Sequence, residues 1–177
     1  MRPAAGTLLV ATPRLLDPNF VRTVVYLVDH DDAGSLGLIV NRPLDIPLDA
    51  IWDEAPATLA DHRIAAQGGP VEPNKGILLH GDLAVPGCLT MCPGVAAGGQ
   101  VAAITARWAD GPDRFGPRLF LGTSGWGPGQ LDNEVEQGSW IVRAGTSDLL
   151  LDLNPPDSLW QQLVDGGALD TPEPSEN

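Results

Sequence analysis

The apolar residues of this chain gather in short runs cut by glycine, proline and acidic residues, a pattern that predicts many brief strands and few helices. Thr7–Ala11 and Thr23–Val28 read as strands, and the second is apolar at every position after Thr23, so it must be covered on both faces. Turn residues at Asp29–Gly34 join it to Leu36–Val40 as an antiparallel hairpin. Asn41-Arg42-Pro43 closes the third strand, because proline has no N–H to give to a ladder. Behind Pro47, the residues Leu48, Ile51 and Trp52 share one face of a short amphipathic helix. Arg63–Gln67 and Gly76–His80 bracket a glycine- and proline-rich loop and predict a further strand pair with a wide turn.

Residues 82–118 mix two periods: Cys88–Cys92 fits a strand, whereas Val101, Ile104, Thr105 and Trp108 follow a helix. Arg118–Leu121 is a strand that runs into the glycine-rich loop Gly122–Gln130. Leu131 and Val135 then mark a short helix that Gly138 ends, Trp140–Val142 and Leu149–Leu151 read as strands, and Asp157 is the expected N-cap of a helix over 158–164 that stops at Gly166. Strands outnumber helices without alternating regularly with them, which predicts an α+β fold on a mixed, largely antiparallel sheet. Residues 1–166 are expected to form one domain, and the acidic, apolar-poor segment 167–177 a disordered tail.

Composition narrows the choice of partner. Hydrophobic residues make up 43% and charged residues 19% of the 177, proportions of a folding chain rather than a disordered one. The net charge is −13 and Lys75 is the only lysine, so phosphate backbones and anionic membrane surfaces should be repelled. Direct nucleic-acid or membrane binding is not expected, and neither is a leader or spanning segment, which places the chain in the cytoplasm. Cys88 and Cys92 lie four apart, which matches neither a Cys-x-x-Cys redox pair nor a zinc set, and read as reduced thiols. On a strand they would share a face, an arrangement compatible with a disulfide under oxidative stress.

The stretch GTSGWGPGQ at 122–130 invites three chemical readings. A nucleophile turn needs a glycine where Trp126 stands. A phosphate loop needs a lysine and a hydroxyl after Gly127, where Pro128 and Gly129 follow. A dinucleotide fingerprint needs its third glycine one place later and a βαβ unit around it. What remains is a strand turning through glycines into a helix, with an anion-binding nest as the alternative that Asp132, Glu134 and Glu136 oppose. The turn Asp29-His-Asp-Asp32 has the residue types of a metal site but no metal-loop spacing, and no cofactor or metal is expected.

Three blocks, GTLLVATPRLLDPNFVRTVVYLVDHDDAGSLGLIVNRP, QGGPVEPNKGILLHG and LFLGTSGWGPGQLDNEVEQGSWIV, together resemble the AlgH/YqgE family of bacterial proteins over roughly residues 6–165. The resemblance implies a single-domain α+β fold whose mixed sheet bifurcates and bends into a partial barrel, in a cytosolic protein. The family carries a transcriptional-regulator label that came from genetic context rather than from a DNA-binding motif. Its pattern falls on Asp17, Pro18, Phe20, His30, Gly37, Asn41, Arg42, Pro43, Gly68, Gly69, Pro70, His80, Gly122, Ser124 or Gly125, Trp126, Gly129, Gln130, Leu131 and Glu134. No catalytic role comes with those positions. The chain departs at Thr123, where an aromatic residue is usual, and at Asp132, where glutamate is frequent.

From these readings Asn41, Arg42, Gly68, Gly69, His80, Ser124, Trp126 and Gln130 form the expected binding surface for a small molecule or a protein partner, with Trp126 as its anchor and Arg42 as its cation. A non-enzymatic binding module is the first expectation. A hydrolase or transferase using His30 or His80 with Ser124, and a regulator acting on transcription through a protein partner, are the alternatives.

Overall fold

The computed structural model describes residues 1–166, so the tail expectation for 167–177 lies outside the described residues. In it the chain is an α+β fold built on one curled sheet. The strands are β1 (Thr7–Ala11), β2 (Val24–Asp31), β3 (Gly34–Ile39), β4 (Ala65–Gln67), β5 (Val71–His80), β6 (Leu89–Cys92), β7 (Val95–Ala97), β8 (Arg118–Trp126) and β9 (Trp140–Ala144). Short helices α1 (Val101–Arg107), α2 (Gln130–Glu136), α3 (Asp148–Leu151) and α4 (Leu159–Val164) flank it. The strand order is β6-β7-β5-β8-β3-β2-β1-β9, with β4 attached to β8 off this path. Among the described residues no helix is long and apolar enough to cross a membrane.

β8 is the hub, and it explains why the sheet is mixed. Its first half, Leu119–Leu121, pairs in parallel with β4 on one side and antiparallel with β5 on the other. Its second half, Ser124–Trp126, pairs antiparallel with β3. The handover from β4 to β3 is the bifurcation. Gly68 carries it: its N–H donates to Leu121 O at 2.8 Å, and its carbonyl accepts Ile39 N–H at 2.9 Å. A methyl group on Gly68 would strike the Gly122 carbonyl, and one on Gly122 the Gly69 carbonyl, so backbone-to-backbone contact dictates glycine here.

The apolar runs are buried on both faces, as the unbroken pattern of the second strand predicted. Leu8, Val10, Val24, Tyr26 and Val28 join the leucines of α3 and α4 on one face. Leu9, Val25, Leu27 and Ile39 meet Trp126, Leu131 and Trp140 on the other. A third cluster packs Leu48, Leu59, Ile64, Ile104, Trp108 and Leu119 beneath the 3-10 turns at Leu48–Ala50 and Ala57–Leu59.

Five readings are corrected. β4 and β5 do not pair with each other, because β8 inserts between them and satisfies both. β8 continues through Trp126, so the glycine stretch is half strand, and only Gly127–Gly129 turn. Leu149–Leu151 is helical: all three leucines are buried, a short apolar run leaves period ambiguous, and the Leu149 and Leu150 carbonyls accept from Arg118 instead of a neighbouring strand. α4 starts at Leu159 with Ser158 at its N-cap, without a side-chain cap bond and one residue later than expected. Cys88 precedes β6 and packs on the third cluster, whereas Cys92 ends β6 and packs on the first, so the two do not share a strand face.

Candidate functional site

At the glycine junction, the residues expected to face a partner bond inward. Ser124 is fully buried and its hydroxyl donates to Gly68 O at 3.0 Å. Asn41 accepts Val24 N–H at 2.9 Å and donates to Arg22 O at 3.0 Å, while Arg42 donates to Asn19 O and Val21 O. These two side chains hold the 19–22 loop, in which Arg22 takes a left-handed φ of 58°. Partial burial lowers the pKa of the Arg42 guanidinium. Gly68 and Gly69 are buried against Gly122 and Thr123.

Trp126 is likewise interior, 6% exposed, stacked on Phe20 and edge-on to Trp140. Its indole N–H donates to Glu134 Oε1 at 3.0 Å, and that of Trp140 to the same oxygen at 2.9 Å. Gln130 bridges the turn, accepting Gly127 N–H at 2.9 Å and donating to Glu134 Oε2 at 2.9 Å. The glutamate therefore caps an aromatic cluster, and the expected anchor is part of the core.

His80 is fully buried at the end of β5. One ring nitrogen faces Gly98 O at 2.8 Å and the other accepts Asp82 N–H at 3.2 Å, which fixes the neutral tautomer with its proton on Nε2. The ring packs on Trp108 at 5.1 Å. Next to it, Arg107 joins Asp82 at 2.6 Å and Asp113 at 2.8 Å. The hydrogen bond from Arg107 holds the Asp82 carboxyl below its ordinary value; burial pushes Asp113 up, but bonds from Arg107, Phe115 N–H and Trp108 outweigh it and keep Asp113 low as well.

Two features escaped the sequence reading. The first is an open cleft of about 890 Å³ beyond the end of β5, between α3 and the segment 112–115 that leads into β8. Asp113, Arg114, Phe115, Asp148 and Asp152 give it its chemistry, and His62 also lines it. Arg114 lies over the Phe115 ring at 4.6 Å, and Asp148 makes no ion pair with any described residue. Asp113–Phe115 sits in the stretch of mixed period and the pattern at 149–151 predicts a strand, so no one-dimensional signal brings these residues together. The second feature is in the hairpin, where His30 Nδ1 lies 2.6 Å from Ser35 Oγ and Nε2 lies 3.7 Å from Asp132 Oδ1. Histidine, serine and acid thus meet without Ser124. Among the described residues no group of three or more His, Cys, Asp or Glu side chains is placed to hold a metal ion.

Comparison with known proteins agrees with the architecture. The sequence profile described as AlgH-like matches residues 8–170. A UPF0301 protein of Streptomyces coelicolor is 35% identical over 175 residues, covering 90% of this chain and 84% of that protein. One from Myxococcus xanthus is 33% identical, covering 96% and 94%. The solution structure of the AlgH protein from Pseudomonas aeruginosa superposes with a TM-score of 0.69 at 29% identity, covering 95% of this chain and 94% of that one. A crystal structure from Corynebacterium diphtheriae shares the fold with a TM-score of 0.71 at 22% identity, covering 96% and 90%. With the profile spanning nearly all of the chain and relatives above 30% identity along most of its length, this protein belongs to the AlgH-like family.

Proposed function

We propose that this protein is a cytoplasmic binding module that holds a small amine-bearing solute in the cleft between α3 and the segment 112–115. The observation that carries the reading is the balance of charge in that cleft: Asp113, Asp148 and Asp152 stand against Arg114 in a volume of about 890 Å³. Cavities of several hundred Å³ are the size that small ligands fill. Asp113 is already engaged by Arg107 and one Asp152 oxygen accepts Asn154 N–H at 2.9 Å, so Asp148 and the second Asp152 oxygen are left to receive an ammonium group. Phe115 and Leu151 offer an apolar wall for a carbon chain. The net charge of −13 raises the concentration of cations near the surface.

The glycine junction supports a structural role instead, since its side chains bond inward, and no turnover is assigned to Ser124 or His80. A role in transcription, as the family label suggests, runs through a protein partner in this reading, because the acidic surface disfavours contact with nucleic acid.

Thermal-shift titrations test it with putrescine as the diamine and succinate as an anion of similar length. Putrescine should raise the melting temperature and succinate should not. A double variant, Asp148→Asn with Asp152→Asn, should lose about tenfold in putrescine affinity, equivalent to about 1.4 kcal/mol. Equal responses to both probes, or an unchanged affinity in the double variant, contradict the reading.

A further inference from the structure

Away from the cleft, one partly exposed hydroxyl sits against a base. In the β2–β3 hairpin His30 is the cross-strand partner of Ser35, and residues directly opposite on an antiparallel pair share a face. That register brings Ser35 Oγ to 2.6 Å from His30 Nδ1. On the far side of the ring, Asp132 of α2 places its carboxylate 3.7 Å from Nε2, beyond hydrogen-bond length but within ion-pair reach. In the tautomer with its proton on Nε2, that N–H faces the Asp132 carboxylate and the Nδ1 lone pair is open to the Ser35 O–H, the arrangement a general base needs. Ser124 differs on each point, being fully buried with its hydroxyl donated to a backbone carbonyl.

We propose that Ser35 is a nucleophilic modification site that takes an acyl group from small, uncharged activated donors such as esters and thioesters, with His30 as its general base and Asp132 as the group that orients the ring. Ser35 Oγ attacks the acyl carbon and forms an ester. The bond from that carbon to the leaving oxygen or sulfur breaks, its electron pair departs with the leaving group, and the hydroxyl proton passes to His30 Nδ1 and on to the leaving group or to solvent. Nothing is oxidised or reduced. Asp29, Asp31 and Asp32, all exposed in the same hairpin, disfavour anionic donors. The product is a stable acyl-serine, and turnover is no part of the proposal.

The test is incubation of the intact protein with p-nitrophenyl acetate, following nitrophenolate release and mapping the acetylated peptide by mass spectrometry. The expected result is acetylation at Ser35 that is lost in Ser35→Ala and slowed about 100-fold in His30→Gln, the typical contribution of a positioned general base. Asp132→Asn, at an exposed position, should fold normally and also slow the reaction, which keeps the proposal falsifiable if His30→Gln does not fold. Acetylation confined to Lys75, the cysteines or the amino terminus, or an Asp132→Asn rate equal to that of the unaltered protein, overturns it.

Discussion

Glu134 shows how a single side chain can set the character of a loop. One of its oxygens accepts from two indoles and the other from Gln130, so the carboxylate neutralises the polar edges of an otherwise apolar cluster. Glu134→Ala leaves the indole N–H groups of Trp126 and Trp140 without an acceptor inside the protein, and should lower stability by about 2–3 kcal/mol. Glu134→Gln keeps an acceptor oxygen and should cost about half as much. Urea denaturation followed by tryptophan fluorescence measures both, and a loss below about 0.5 kcal/mol for the alanine variant would show that water replaces the carboxylate. The sequence held the identities of these residues but not their direction. Tryptophan in a glycine-rich loop reads equally well as an anchor for a partner or as core, and the extension of β8 through Trp126 decides for core.

Among the elements, those with an unbroken period were legible. β1, β2, β3, α2 and β9 follow runs whose apolar pattern leaves one interpretation, and the bulge that shifts register between Leu27 and Asp29 is a local adjustment to it. The pairing that the sequence does not reveal has a physical cause: which strands pair is a long-range property. β4 and β5 are close in sequence, yet each pairs with β8, some 50 residues on. α3 is held in the same long-range manner. Arg118, buried at the start of β8, donates to the Leu149 and Leu150 carbonyls and to Val40 O, while its Nε finds no partner among the described residues. Burial pulls its pKa down to about 10, which leaves the guanidinium charged at neutral pH. Arg118→Met should fill similar space while leaving three carbonyls without this donor, and should lower stability by about 3 kcal/mol. Hydrogen exchange should quicken first in α3; uniform exchange through the whole sheet would show that the arginine does not act on that helix in particular.

At the scale of the whole molecule the paired acids set the acid stability. Asp82 and Asp113 have carboxyls held below the ordinary value of 3.8, with Arg107 between them. A depressed carboxyl stabilises the folded state fully above 3.8 and loses that contribution as the pH falls through its folded value. Arg107→Ala removes the contribution at neutral pH already. The stability difference between the two proteins should therefore be constant from neutral pH down to about 3.8 and shrink below it. Urea denaturation across that range measures the difference, and a gap that widens on acidification would reverse the sign. Asp113 also lines the cleft, in which His62, the segment 112–115 ahead of β8 and α3 are brought together from three separate parts of the chain. Its occupancy is tested most directly by a nuclear magnetic resonance titration of the nitrogen-labelled protein with putrescine. The account predicts saturable shifts concentrated on the amides of Phe115, Ser147, Asp148 and Asp152; shifts that fail to saturate, or that centre on the Gly68–Gly69 junction, would contradict it.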